Sequence, residues 1–119
     1  MDVDKIQDEI DNLHYWDARV KKLSCEYFSD EVLLTYEDSE GDVSYEFTSC
    51  FKVDFKHVVE YKYKSSKELS VSQIPYFLQD VTVGTVETDT MSLYTCIINM
   101  DPLYVEIWCR DIAVNVSKS

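Results

Sequence analysis

The chain has 119 residues, enough for one compact domain over residues 1–119, and 45% of them are apolar, which suffices for a core. Its 23 acidic and 11 basic residues give a net charge of −12, which disfavours nucleic acid and anionic membrane surfaces and favours a basic protein partner. No apolar run approaches the ~20 residues of a membrane helix. The opening "MDVDKIQDEID" lacks the basic and apolar regions of a signal peptide, so we expect a cytoplasmic protein.

The first segment of the chain has the pattern of an amphipathic helix over residues 2–13. Its apolar residues follow one another at intervals of three or four positions, as one face of a helix requires. They are Val3, Ile6, Ile10 and Leu13. Asp2 and Asp4 stand at the expected start, where carboxylates accept free N–H groups and suit the positive end of the helix dipole. After residue 16 the apolar period changes to two, which predicts that a sheet follows.

The rest of the chain alternates apolar and polar residues, as antiparallel strands with one buried face do. Residues 43–55 form the clearest case, with core residues predicted at the odd-numbered positions Phe47, Phe51, Val53 and Phe55. Six or seven strands are expected, joined by hairpin-type links without βαβ units. The predicted fold class is therefore α+β, with an N-terminal helix packed on an antiparallel sheet.

Three local irregularities are predicted from interruptions of these patterns. Val20 is out of phase with Leu23, which indicates a bulge near the two intervening lysines. A phase change at Gly84 indicates a second bulge. Between these, residues 65–73 read as a polar connection, and Pro75 with Ser72 as its cap predicts a helical turn in "SQIPYFLQD".

The stretch "HYWDAR", residues 14–19, holds the one close grouping of a histidine, an aspartate and an arginine. His14, Asp17 and Arg19 could meet in a turn as a catalytic group, but no nucleophile motif accompanies them. The structural interpretation is favoured: His14 ends the helix where a cation suits the dipole, and Asp17 bonds local backbone. We therefore expect no catalytic residue and no enzymatic activity.

The four cysteines lack the spacing of a metal site or of a local redox pair. They are Cys25, Cys50, Cys96 and Cys109, and neither His14 nor His57 stands near one at zinc-finger spacing. We expect no metal, no cofactor and no disulfide, with three or four of the cysteines buried as small apolar residues.

Several short segments of the chain together form one pattern: "HYWDAR", "VLLTYED", "YEF" and "VDF", then "FLQDVTV" and "YVEIWCRDIAV" nearer the end. This pattern, which spans most of the chain, resembles the small sheet proteins found among the immunity proteins of bacterial polymorphic toxin systems. The resemblance implies a protein that binds and blocks a cognate toxin and is not an enzyme.

Acidic turns and exposed aromatic residues are the candidate contacts for such a partner. The hairpin candidates are Glu37, Asp38, Glu40 and Asp42, and the aromatic candidates on the even-numbered face of the last strand are Tyr104 and Trp108. As a functional surface, the carboxylates would cover a basic groove and the aromatic rings would anchor the contact. As a structural feature, they are solvated turns that discourage strand pairing between molecules.

Two further functions remain open on the sequence. The sheet could build an oligomeric scaffold, or a pocket between helix and sheet could bind a small ligand. Self-association would distinguish the first, and a deep pocket with titratable groups of shifted pKa would distinguish the second.

Overall fold

The computed structural model describes residues 2–13, 15–28, 30–38, 41–57, 76–100 and 103–118, and these form one helix and six strands. The helix is α1 (Val3–Asp11). The strands are β1 (Val20–Glu26), β2 (Glu31–Asp38), β3 (Gly41–His57), β4 (Asp80–Glu87), β5 (Ser92–Met100) and β6 (Leu103–Lys118). All paired strands are antiparallel, so the predicted α+β class is confirmed.

Helix α1 forms where its apolar stripe predicts it. The Asp2 carboxylate caps the first turn by accepting a hydrogen bond from the Lys5 amide at 3.1 Å. Ile10 is completely buried in the core, and Val3, Ile6 and Leu13 pack against the same core. The helix lies against β4 and β6, so its stripe covers one part of the sheet.

The sheet has the strand order β1-β2-β3-β6-β5-β4, with the two longest strands at its centre. Strands β3 and β6 pair from Gly41 opposite Lys118 to His57 opposite Leu103. β2 pairs with the first half of β3, and β5 pairs with the first half of β6. Because β3 and β6 are antiparallel, β2 and β5 flank opposite ends of the central pair, one on each side.

The two edges of the sheet meet through the segments that precede β1 and β4. The Asp17 and Leu78 amides donate to the carbonyls of Leu78 and Ala18 at 2.7 and 2.8 Å, and the Val20 amide donates to the Tyr76 carbonyl at 2.8 Å. The sheet is therefore curled around its core. Residues 76–79 take part in this contact as extended chain, so the helical turn predicted there is wrong; residues 72–75 and the connection at 65–73 lie outside the described residues.

The core predicted from β3 is correct before residue 49 and partly wrong after it. Phe47 is completely buried and Val53 is partly buried, but Phe51 and Phe55 are 57% and 42% exposed. Ser49 has a positive φ of 54°, and the register with β6 shifts between Cys50 and Lys52. This bulge turns Cys50 inward and Phe51 outward, and Phe55, opposite the buried Val105, lies near the end of the strand.

Of the two bulges predicted elsewhere, one is confirmed and one is wrong. The register between β1 and β2 shifts between Val20 and Lys22, as the phase of the apolar residues indicated. The pairing of β4 with β5 runs without a shift past Gly84. A Cβ atom on Gly84 would lie 3.0 Å from Thr95 Oγ1, so glycine at this position avoids a tight contact with the neighbouring strand.

None of the four cysteines forms a disulfide, and their burial differs from the prediction. Cys96 and Cys109 are buried, Cys50 is half-buried and Cys25 is exposed. Two are therefore core residues, fewer than the three or four expected. Cys25 is exposed because it lies on the edge strand β1, whose later residues extend beyond the part of the core that Leu23 contacts.

Candidate functional site

The acidic hairpin predicted from the sequence joins β2 to β3. Glu37 pairs with Asp42 across the hairpin, and Asp38 pairs with Gly41; Glu40 lies outside the described residues. Lys21 Nζ lies 2.9 Å from Asp42 Oδ2, and this hydrogen bond raises the pKa of Lys21. Glu37 is exposed and Asp38 is half-buried. The hairpin thus presents carboxylates to solvent, one of them paired with a lysine of β1.

The aromatic pair predicted as anchors lies on β6, and both side chains are half-buried. Lys52 Nζ lies 4.6 Å from the centroid of the Trp108 ring, a cation–π contact. Trp108 Nε1 donates to Glu106 Oε2 at 2.9 Å, and Lys52 lies 3.5 Å from the same carboxylate. The Lys52 and Glu106 side chains therefore hold Trp108 in place on the outer face. Tyr104 stands opposite Lys56 of β3 and Asn99 of β5.

The hairpin and the aromatic pair lie at different ends of the central strands. Asp42 is near the start of β3, whereas Lys52, which contacts Trp108, lies ten residues further along it. At about 3.3 Å per residue this is up to about 33 Å. One compact contact would use either the hairpin or the aromatic pair as its centre.

The "HYWDAR" stretch links the helix to the sheet. Asp17 has a positive φ of 65° and its amide donates to Leu78, while the Arg19 carbonyl accepts from the Glu37 amide. Tyr15 Oη accepts from the Val81 amide at 3.2 Å and lies 3.3 Å from Asp80 Oδ1; burial raises its pKa. The described residues of the stretch thus make backbone and edge contacts. The bond found for Asp17 runs from its amide to the distant Leu78 and not to local backbone as predicted, and His14 lies outside the described residues.

Gln7 has a structural role that the sequence analysis missed. Its side-chain amide accepts from the Val83 amide at 2.7 Å and donates to the Val81 carbonyl at 3.0 Å. These are the contacts that a neighbouring strand would make, so Gln7 and Tyr15 cover part of the outer edge of β4. The only signal in the sequence is a polar residue beside the apolar stripe of α1.

Three exposed aromatic residues, also missed, lie together where the β1–β2 turn meets the β3 bulge. We call Tyr27, Phe28 and Phe51 the aromatic corner. Tyr27 is 70% exposed, Phe51 is 57% exposed and Phe28 is completely exposed. The Asp30 amide donates to the Tyr27 carbonyl at 3.0 Å, and the Asp30 carbonyl accepts from the Cys50 amide at 2.9 Å. These two bonds bring the turn beside the bulge that carries Phe51.

A shallow cavity of about 200 Å³ adjoins the aromatic corner on the outer face of β1, β2 and β3. We call it the glutamate pocket, because Glu26, Glu31 and Glu46 line it. Glu26 and Glu31 are direct cross-strand neighbours, and Leu33 lies opposite Glu46 between them. Among the described residues, no basic side chain forms an ion pair with these three glutamates. The pocket is a concave, negatively charged surface.

Comparison with known families gives a match over nearly the whole chain. The model of the family described as immunity protein PIM7 matches residues 2–116. No curated protein matches the sequence. Within the described part of the chain, no helix has the length and apolarity needed to cross a membrane.

Proposed function

Because the chain belongs to the immunity protein PIM7 family, we propose that it neutralises its cognate toxin by binding the toxin and covering a basic surface on it. The observation that carries the proposal is the family match over residues 2–116. The net charge of −12 supports a basic partner, because a chain of this charge attracts a basic protein and repels an acidic one. The toxin is of the polymorphic type, and the complex forms in the cytoplasm.

The proposed mechanism is occlusion without catalysis. An inhibitor of this kind requires only a surface complementary to the toxin, with carboxylates facing basic residues and a few aromatic anchors. The outer face of this sheet offers both kinds of group. Its carboxylates include Glu37 and Asp42 on the hairpin, and its aromatic residues include Trp108 on β6.

The acidic hairpin is proposed to act on the encounter between the two proteins. The proposed contact residues there are Glu37, Asp38, Glu40 and Asp42. Exposed charges at the rim of an interface accelerate association, whereas buried contacts at its centre slow dissociation. Tyr104 and Trp108 of β6, which lie beside the other end of β3, are proposed as a second contact.

The test is neutralisation of the toxin encoded beside the gene for this protein. The toxin domain is expressed in bacteria with and without the immunity protein, and growth is measured. The purified proteins are then mixed and examined by light scattering and calorimetry. We expect restored growth and a one-to-one complex with nanomolar affinity. Absence of both would contradict the proposal.

Light scattering of the immunity protein alone distinguishes the proposed function from that of an oligomeric scaffold. A self-associated species that neither binds nor neutralises the toxin would favour an oligomeric scaffold. A monomer that binds the toxin domain in a single step supports the proposed function.

A further inference from the structure

We propose that the aromatic corner and the glutamate pocket form one anchoring site, in which the pocket receives an arginine side chain of the toxin and the aromatic rings pack beside it. The inference rests on the proposed function and adds the place of the central contact and the chemistry of the group that it binds. It differs from the acidic hairpin, which lies at the opposite end of β2. The eight residues of β2 separate the two regions by roughly 23 Å at 3.3 Å per residue.

The exposed rings of the aromatic corner are the first argument. Tyr27, Phe28 and Phe51 place three large apolar side chains in solvent on two segments that backbone hydrogen bonds through Asp30 hold side by side. Grouped exposure of this kind, rimmed by polar residues, marks interaction sites, whereas single exposed apolar residues are ordinary. Tyrosine and phenylalanine supply large contact area with few rotatable bonds, which suits the centre of an interface.

The backbone of the same turn is the second argument. Tyr27 and Phe28 have positive φ angles of 53° and 58°, a conformation that favours glycine and that bulky residues rarely adopt. Local strain of this kind concentrates at functional sites, where the surrounding structure holds it. Here it points two aromatic side chains away from the core. A turn selected for stability alone would carry glycine or asparagine at these positions.

The charge of the glutamate pocket specifies the occupant. Glu26 and Glu31 face each other across β1 and β2, and like charges directly opposite each other are destabilising. A cationic side chain in the cavity would remove this repulsion. The cavity also contains Leu33 and Ser24, so it offers an apolar surface beside the carboxylates. Arginine fits this combination best, because its planar guanidinium binds carboxylates in pairs and stacks on aromatic rings.

The test compares variants of the anchoring site with matched variants elsewhere on the protein. One variant is Tyr27→Ser/Phe28→Ser, and its control is Trp16→Ser, which removes a 72% exposed aromatic side chain beyond the other end of β1. The second variant removes the three pocket charges by Glu26→Gln/Glu31→Gln/Glu46→Gln. Its control removes three exposed charges elsewhere by Asp8→Asn/Glu9→Gln/Asp89→Asn. Association and dissociation rates are measured on the immobilised toxin domain encoded by the neighbouring gene.

We expect both anchoring-site variants to dissociate at least tenfold faster than the wild type, with each control within about threefold of it. The charge control removes the same number of negative charges, so it corrects for the general loss of electrostatic attraction between the two proteins. Failure of the wild type to bind the toxin domain would overturn the proposed function. Binding by the wild type, with anchoring-site variants that dissociate like their controls, would overturn this inference alone.

A second measurement does not depend on the folding of any variant. Hydroxyl-radical footprinting of the wild-type protein reports the exposure of Tyr27, Phe28 and Phe51 with and without the toxin domain. We expect all three to be protected in the complex, while Trp16 remains as reactive as in the free protein. Unchanged reactivity of the three residues in a formed complex would overturn the inference.

Discussion

The hydroxyl groups of Tyr36 and Tyr45 form a hydrogen bond of 2.9 Å with each other inside the core. The two rings meet edge to face, with centroids 5.4 Å apart and an angle of 74°, and neither residue is exposed. Tyr36 comes from β2 and Tyr45 from β3, so the pair fixes the packing of the first half of the sheet. Each hydroxyl is the hydrogen-bond partner of the other, so two polar groups can be buried in an apolar interior.

The Tyr36–Tyr45 pair predicts a non-additive effect of removing its hydroxyls. Tyr45→Phe should lower the free energy of unfolding by about 1–3 kcal/mol, because it leaves the buried Tyr36 hydroxyl without a partner. The double variant Tyr36→Phe/Tyr45→Phe should lose less than the sum of the two single variants, since it leaves no polar group unpaired. Urea unfolding of the three variants measures this, and strictly additive losses would contradict the interpretation.

Much of the fold follows from the periods of the apolar residues, as the helix stripe of Ile6 and Ile10 and the alternation at Val32 and Leu34 show. The remainder depends on contacts between segments distant in sequence. The bulge in β3 lies at Ser49, the one polar residue among the odd-numbered positions of this strand, but a single polar residue does not distinguish a bulge from a solvated position. Gln7 covers an edge that exists only once β4 is folded. Tertiary requirements of this kind leave only a weak local signal in the sequence.

The candidate site divides in the same way. The acidic hairpin was predictable, because carboxylates surround Gly41 between two alternating segments. The aromatic corner was not, since Phe51 follows the same odd-numbered alternation as the core residue Phe47, and Tyr27 stands in phase with Leu23 and Cys25 of β1. Only the bulge and the left-handed turn place these side chains outward and close together.

The β3 bulge predicts opposite outcomes for two phenylalanines four positions apart. Phe47→Ala should lower the free energy of unfolding by about 3–5 kcal/mol, because it leaves a cavity in the core. Phe51→Ala should change it by no more than about 0.5 kcal/mol, because the side chain is largely in solvent. The two denaturant midpoints provide the measurement. A large loss on Phe51→Ala would show that this residue packs inside.

The buried thiol of Cys96 predicts a loss of stability at alkaline pH. Burial raises its pKa from 9.0 to about 12, so the folded protein retains a proton that the unfolded chain releases. The stabilisation is complete below pH 9 and is lost as the pH rises toward 12, by about 1.4 kcal/mol per pH unit. Urea unfolding at pH 8 and pH 10 measures the slope. Cys96→Ala should make the free energy of unfolding fall less steeply with pH, by up to the about 1.4 kcal/mol per pH unit that the release of one proton contributes. An unchanged pH dependence would contradict the assignment to Cys96.

The left-handed turn predicts that stability and binding change in opposite directions. Phe28→Gly removes the strain of a positive φ, about 1–2 kcal/mol. It also adds backbone entropy to the unfolded chain, about 0.5–1 kcal/mol. The free energy of unfolding should therefore stay constant or rise by up to about 1.5 kcal/mol. If the aromatic corner binds the toxin, the same variant should bind it more weakly, as expected of a residue kept for function. A variant that loses stability would show that Phe28 supports the fold.

The acidic hairpin predicts a slower association at low salt when its charges are removed. Changing the four carboxylates to amides keeps their size and removes four negative charges; they are Glu37, Asp38, Glu40 and Asp42. Folding should be largely preserved, because the ion pair of Lys21 with Asp42 is solvent-exposed and is screened by salt. Association with the toxin domain should slow by about tenfold or more, since exposed charges steer a basic partner.

The salt dependence of this variant separates steering from direct contact. The Debye length is about 8 Å at physiological ionic strength, so steering by the hairpin should weaken as salt is added, and the rates of wild type and variant should converge. The control variant removes four exposed charges elsewhere, at Asp8, Glu9, Glu87 and Asp89. Its association should slow less, because these residues are not part of the proposed contact. Equal association rates for the wild type and the hairpin variant at low salt would make the hairpin a solvated turn without a role in binding. A faster dissociation of the hairpin variant at all salt concentrations would instead place the hairpin inside the interface, because a desolvated charge acts on the lifetime of the complex.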